Sequence, residues 1–107
     1  MDLVKRFDVY LVQLDPTQGC EMQKTRPCVI VSPNEMNQLQ TVIVAPMTST
    51  IKFAPWRVQI KFRERAGNVA LDQIRAIDRS RLLQHLGRLN KTASASILDI
   101  LQEMFSP

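Results

Sequence analysis

Trp56 to Phe62 alternates without a break, with Trp56, Val58, Ile60 and Phe62 on one side and Arg57, Gln59 and Lys61 on the other. A period of two marks a half-buried antiparallel strand and excludes an amphipathic helix there, so one face is expected to be core and the other cationic. Four further runs are short and rich in β-branched residues. They are Phe7 to Leu14 (apolar on both faces, as in a central strand), Cys28 to Val31, Thr41 to Ala45 ended by Pro46, and Val69 to Ile77. Arg63 to Asn68 is expected to turn, with Gly67-Asn68 as the breaker pair. Glu35 to Leu39 reads as a single helical turn, Ser80 to Leu83 as a turn or helical piece, and Leu83 to Leu89 as either strand or helix. Ile97, Ile100, Leu101, Met104 and Phe105 recur at helical spacing, with Ser94 near the N-cap position. The expected fold is mainly β with α (α+β), a small, strongly curved antiparallel sheet carrying one C-terminal helix, in one domain over residues 1–107.

Composition narrows the partners. Residues 52–91 hold ten of the fourteen basic residues against Glu64, Asp72 and Asp78, a net charge of +7, while the rest of the chain sums to −3. A basic segment of that kind suits a polyanionic or acidic partner. No apolar run reaches the length of a membrane span. Met1 to Arg6 lacks the apolar core of a signal peptide, so a cytoplasmic location and no membrane partner are expected. Cys20 and Cys28 are then expected as free thiols. Two cysteines without clustered histidines make no zinc site, and neither metal nor cofactor is expected.

A long polar connection, Pro16 to Pro27, joins the first two apolar runs and carries Glu21, Lys24, Arg26, Cys20 and Gly19. Long ordered loops are more often functional than idle. Leu14-Asp15-Pro16-Thr17-Gln18-Gly19, Glu21 and Thr25-Arg26-Pro27 resemble the opening motif of the MazF/PemK toxins. The likeness continues in Asn34, in Val44-Ala45-Pro46-Met47-Thr48-Ser49 and in Ala70-Leu71-Asp72-Gln73. The resemblance implies an SH3-like barrel, a homodimer, and an endoribonuclease toxin of a type II toxin–antitoxin pair that cuts single-stranded mRNA and halts growth. It also implies a cognate antitoxin whose acidic, partly disordered segment covers the basic groove, with operator DNA reached only through that antitoxin.

Cleavage of RNA by its own 2′-hydroxyl needs a proton acceptor, donors for the crowded phosphorane and an acid for the leaving 5′ oxygen. It leaves a 2′,3′-cyclic phosphate and a 5′-hydroxyl, and DNA lacks the nucleophile. Arg26 has the planar donor fork that matches phosphate oxygens, and the resemblance makes it catalytic; the plainer reading is an ion pair with Glu21 or Asp15. Thr48, in Pro46-Met47-Thr48, matches the family's catalytic threonine; the plainer reading is a turn hydroxyl bonding its own backbone. Glu21 is a candidate base or an orienter of Arg26. Asp72 aligns with the base of the plasmid branch, but Ala70 and Cys20 stand where that branch has an arginine and a histidine, and Arg75 is the one nearby substitute. Asp72's plainer reading is a carboxylate bonding backbone amides.

Gln18, Gly19, Cys20, Lys24, Thr25, Ser49, Lys52 and Arg75 are expected to contact RNA, in a groove lined by the loops at Gln18 to Arg26, Met47 to Trp56 and Arg63 to Asn68. Cys20 as a nucleophile has no local activating partner, and His85 reads as structural. Trp56 reads as core or interface packing ahead of base stacking. Two other readings stand beside the ribonuclease: a gyrase-binding toxin of the same barrel, which has no use for Arg26 and Thr48, and a catalytically inactive nucleic-acid-binding module.

Overall fold

The computed structural model describes residues 3–107; Met1 and Asp2, with that part of the N-terminal expectation, lie outside it. Seven strands, β1 (Asp8–Gln13), β2 (Thr25–Ile30), β3 (Thr41–Thr48), β4 (Arg57–Phe62), β5 (Arg65–Ala70), β6 (Arg75–Asp78) and β7 (Leu82–Arg88), precede one helix, α1 (Lys91–Met104). All observed pairings are antiparallel, in the order β4-β5-β3-β2-β1-β7 with β6 on β3. The sheet curls so strongly that it is a half-barrel, as the run of short strands leads one to expect.

Alternation along the central strands sends side chains into two apolar clusters. Tyr10, Val12, Leu14, Cys28, Ile30, Val42 and Val44 fill one. Val9, Val29, Ala45, Val58, Val69 and Leu71 fill the other, where Ile97, Ile100 and Leu101 seat the helix. Ile97 is fully buried and contributes about 1.5–3 kcal/mol. The N-cap lies four residues before Ser94: the Asn90 side chain accepts from Ala93 N at 2.8 Å, while Ser94 Oγ donates to Asn90 O.

Three expectations are corrected and one left open is resolved. Pro46 does not end its strand; β3 runs on to Thr48. Ile43 turns its polar groups toward β2, so Pro46, three residues later, aims its nitrogen at the opposite edge. There it falls between the residues paired with β6 (Thr41 to Val44) and those paired with β5 (Met47, Thr48), where no donor is required.

The turn after β4 is the two residues Arg63-Glu64, at φ 50° and 65°, and not Arg63 to Asn68. Gly67 and Asn68 belong to β5. A Cβ at Gly67 would sit 2.6 Å from Thr48 O, so the glycine is there for close strand approach. The run Val69 to Ile77 is broken by a 3-10 turn at Leu71–Gln73, which lifts Asp72 and Gln73 off the sheet. Leu82–Arg88 resolves as a strand, preceded by a 3-10 turn at Arg79–Arg81.

Candidate active site

β2 and β3 pair through Ile30–Val44, Val29–Ala45 and Cys28–Pro46, and no further. The reason is local. Ile30 and Lys24 direct their carbonyls at β1, so the odd-numbered residues of β2 face β3, and the next bonded rung would be Pro27 with Met47. Pro27 has no N–H to give. Beyond that point β2 follows β1 while β3 follows β5, and the two strands fork. Arg26 and Thr48 stand one on each prong, both two residues past the last pair.

A groove of about 660 Å³ opens in the fork, lined by Gln23 to Pro27, Met47 to Ser49, and residues of the β4–β5 hairpin. Its floor is apolar (Pro27, Met47, Ile60, Phe62, Leu86). Lys24, Arg26, Arg63 and Arg65 bring four cationic side chains to the lining, which among the described residues includes no carboxylate. The charge is therefore uncompensated, and it favours an anionic ligand.

Arg26 is half-buried. Its Nε donates to Gln23 O at 3.0 Å, and among the described residues no carboxylate pairs with its guanidinium. The alternative ion pair with Glu21 or Asp15 does not form, because both are engaged by their own loop. Glu21 Oε1 accepts from Gln18 N at 2.6 Å, and Asp15 Oδ1 accepts from Lys24 N at 3.1 Å. Thr48 Oγ1 accepts from Thr50 N at 3.2 Å. The hydroxyl thus makes the backbone bond of a turn, and that bond leaves its hydrogen available for donation to a ligand.

Lys24, Thr25 and Ser49 share the groove with Arg26 and Thr48. Cys20, Glu21, Asp72 and Arg75 line a neighbouring recess of about 330 Å³. A third, of about 410 Å³, is lined by Cys20, Lys52 and Asp72 and shares Thr48 with the main groove. Gln18 and Gly19 lie outside all three, at the loop tip, where Gly19 takes φ 56°. Arg75 donates from Nη1 to Leu14 O at 3.1 Å, tying down the end of β1.

Asp72 bonds its own backbone, as in the plainer reading, and is also held by a side chain that the sequence does not announce. Arg57 grips it with both prongs, Nε to Oδ1 at 2.6 Å and Nη2 to Oδ2 at 3.0 Å. Partial burial raises the Asp72 pKa, but the Arg57 hydrogen bond, the backbone N–H of Asp72 itself and the Arg57 charge, with help from Gln73, outweigh it and hold the carboxyl below its ordinary 3.8. A depressed pKa makes a poor proton acceptor, which suits holding rather than base chemistry.

Sequence reasoning missed Arg57 and Asn68. Arg57 was assigned to a solvated face, yet its side chain is only 7% exposed. Asn68 was assigned to a turn and is fully buried, its Nδ2 donating to Thr50 O at 2.7 Å. Both errors follow from the misplaced hairpin turn, and the positive φ of Arg63 and Glu64 leaves no glycine to advertise it.

His85 sits away from the grooves on β7, 3.6 Å from Asp8 and edge-on to Tyr10. Trp56 is 45% exposed and Phe53 87% exposed, so neither is core. Cys20 is an exposed free thiol and Cys28 a buried one, and burial pushes the Cys28 pKa up to about 12 against the lowering charges of Arg26 and Arg75.

The fold is shared with known proteins. A model of the PemK-like, MazF-like toxins of type II toxin–antitoxin systems matches residues 5–105. The fold superposes on MazF from Deinococcus radiodurans with a TM-score of 0.86 at 23% identity, covering 97% of each chain. Mycobacterium tuberculosis toxin MazF-mt6 matches at 0.76 and 22% identity, over 92% of this chain and 95% of that one. A mycobacterial endoribonuclease solved with its cognate antitoxin matches at 0.79 and 24% identity, over 94% and 92%. The chain belongs to the PemK-like, MazF-like toxin family of type II toxin–antitoxin systems.

Proposed function

We propose that this chain is an endoribonuclease that cuts single-stranded RNA by attack of the 2′-hydroxyl on the adjacent phosphate, without a metal ion, at selected sequences. One observation carries the reading. Arg26 and Thr48 come from different strands to the same groove, whose lining has four cations and, among the described residues, no carboxylate. The Arg26 η nitrogens bind two non-bridging oxygens of the phosphorane, where charge accumulates as the 2′ oxygen adds. The Thr48 hydroxyl, its lone pair held by Thr50 N, donates to the same oxygens. Lys24, Thr25 and Ser49 hold flanking phosphates and sugars, and the apolar floor takes the faces of bases.

The acidic segment of a cognate antitoxin occupies the same groove and excludes RNA; that there is an antitoxin partner is supported by the related mycobacterial endoribonuclease solved with its own. The chain acts as a homodimer.

The test is incubation of the purified chain, with EDTA, with an unstructured RNA and a DNA of the same sequence. The expected result is discrete RNA cuts with 2′,3′-cyclic phosphate ends and intact DNA. Replacing Arg26 by Ala is expected to lower the cleavage rate by about 10²–10³-fold, the scale of losing one oxyanion donor, with an unchanged melting temperature. Cleavage of a substrate lacking the 2′-hydroxyl, or no cleavage by folded protein, overturns the reading.

A further inference from the structure

The loop that carries Glu21 and Met22 and the segment that carries Thr48 to Thr50 are far apart in sequence, and a continuous line of polar contacts joins them. Met22 N donates to Gln73 Oε1 at 3.3 Å. Gln73 follows Asp72 directly in the same 3-10 turn, so the backbone carries the line from one to the other. Asp72 is held by both prongs of Arg57, and Arg57 Nη1 donates to Asn68 Oδ1 at 3.3 Å. Asn68 Nδ2 reaches Thr50 O at 2.7 Å, and Thr50 N reaches Thr48 Oγ1 at 3.2 Å.

The two central links are the most constrained. A guanidinium fork matches a carboxylate edge-on, and Asn68 is fully buried with both ends of its amide engaged. An ion pair of this exposure (side chains 7% and 30% accessible) is screened little by solvent on the Arg57 side.

We propose that Arg57 and Asp72 are positioning residues, which set the distance between the loop leading into Arg26 and the hydroxyl of Thr48. Neither touches the reacting phosphate. Arg57 fixes Asn68, Asn68 fixes the Thr50 carbonyl, and Thr50 aims Thr48, while Asp72 and Gln73 moor the Met22 backbone four residues before Arg26. This role rests on the ribonuclease reading for its catalytic consequence, but the mooring itself does not. Misplacing a reacting group by about an ångström costs on the order of 10²-fold in rate, which is the scale the clamp guards.

The experiment takes the full chain as wild type, Arg57→Gln, Arg57→Lys, Asp72→Asn, and Arg57→Gln with Asp72→Asn together. Amide hydrogen exchange at Met22 and Thr50 reads the clamp without any need for activity. Asp72→Asn is expected to raise exchange at least about tenfold at both amides, the Thr50 site responding although it makes no contact with Asp72. Faster exchange at neither amide, or at Met22 alone, overturns the coupling. Should Arg57→Gln fail to fold, Asp72→Asn, at the more exposed end, still decides the matter.

Cleavage of a short RNA with one cut site gives the second readout, with a 2′-O-methyl analogue measuring binding. The turnover number is expected to fall about 10–100-fold in each single variant, with analogue affinity within about threefold and the double variant no slower than the slower single one. Arg57→Lys, which keeps the charge and loses the fork, is expected to lie between. The acidic limb of the pH–rate profile stays in Asp72→Asn; its disappearance would make Asp72 the base and sink the positioning role. A loss that follows only the fraction unfolded would also sink it. If wild type cuts no RNA, the ribonuclease reading falls alone, and the exchange result still judges the clamp.

Discussion

At the scale of single residues, the two cysteines and Asp72 show how environment divides chemically similar groups. Cys20 stands exposed on the loop, whereas Cys28 is sealed in the apolar cluster with its pKa pushed up to about 12. The native chain is therefore expected to take one equivalent of a thiolate-selective reagent near neutral pH, at Cys20, and a second only in denaturant. Peptide mapping of the labelled chain checks this, and rapid native labelling of Cys28 would contradict its burial.

The Asp72 carboxyl is held below its ordinary 3.8, so its contribution to stability is present above that value and lost as pH falls through the lower folded one. The stability gap between wild type and Asp72→Asn is expected to be widest near neutrality and to close as the pH falls through the lowered folded value, as denaturant titrations along an acid series would show. A gap that widened in acid would mean the carboxylate is not the partner Arg57 holds.

At the scale of elements, the fork between β2 and β3 depends on one missing hydrogen. Pro27→Ala restores an N–H at the rung where the ladder stops. We expect the sheet to close by that rung, stability to hold or rise by up to about 1 kcal/mol, and cleavage to fall by at least about tenfold as Arg26 is drawn toward β3. Urea titration and a cleavage assay on the same preparation test this; unchanged cleavage would mean that the fork does not depend on Pro27.

The elements also show what was legible in the chain. Period-two alternation located β4, and short runs of β-branched and apolar residues located β1 and the core halves of β2 and β3, because side-chain burial on a sheet leaves both patterns in the residues themselves. The β4–β5 turn was not legible: Arg63-Glu64 adopts left-handed backbone without the glycine that normally marks it. That one displacement hid the partnership of Arg57 with Asp72, since a contact between strands is visible only once register is known. Arg26 and Thr48 were legible through family resemblance, and spacing alone would have left them as loop residues.

At the scale of the whole molecule, charge is arranged as well as counted. The chain carries only +4 overall, yet the main groove has four cationic side chains and, among the described residues, no carboxylate in its lining. If those four cations meet phosphates, the affinity for a non-cleavable RNA should fall with salt at a log–log slope between about −2 and −3, since single strands give about −0.7 per contact. Fluorescence anisotropy across a salt series would measure it, and a slope near zero would remove RNA phosphates from the groove.

The fork has a further consequence for how such a protein can change over generations. A ladder that stops one rung short leaves stability unclaimed, and the substitutions that would claim it close the opening in which Arg26 and Thr48 meet. Selection for robustness and selection for toxicity therefore pull on the same backbone position in opposite directions. On the outcome expected above, a host population escaping the cleavage need not lose the gene: a single exchange at Pro27 leaves a folded chain of equal or greater stability that cuts less.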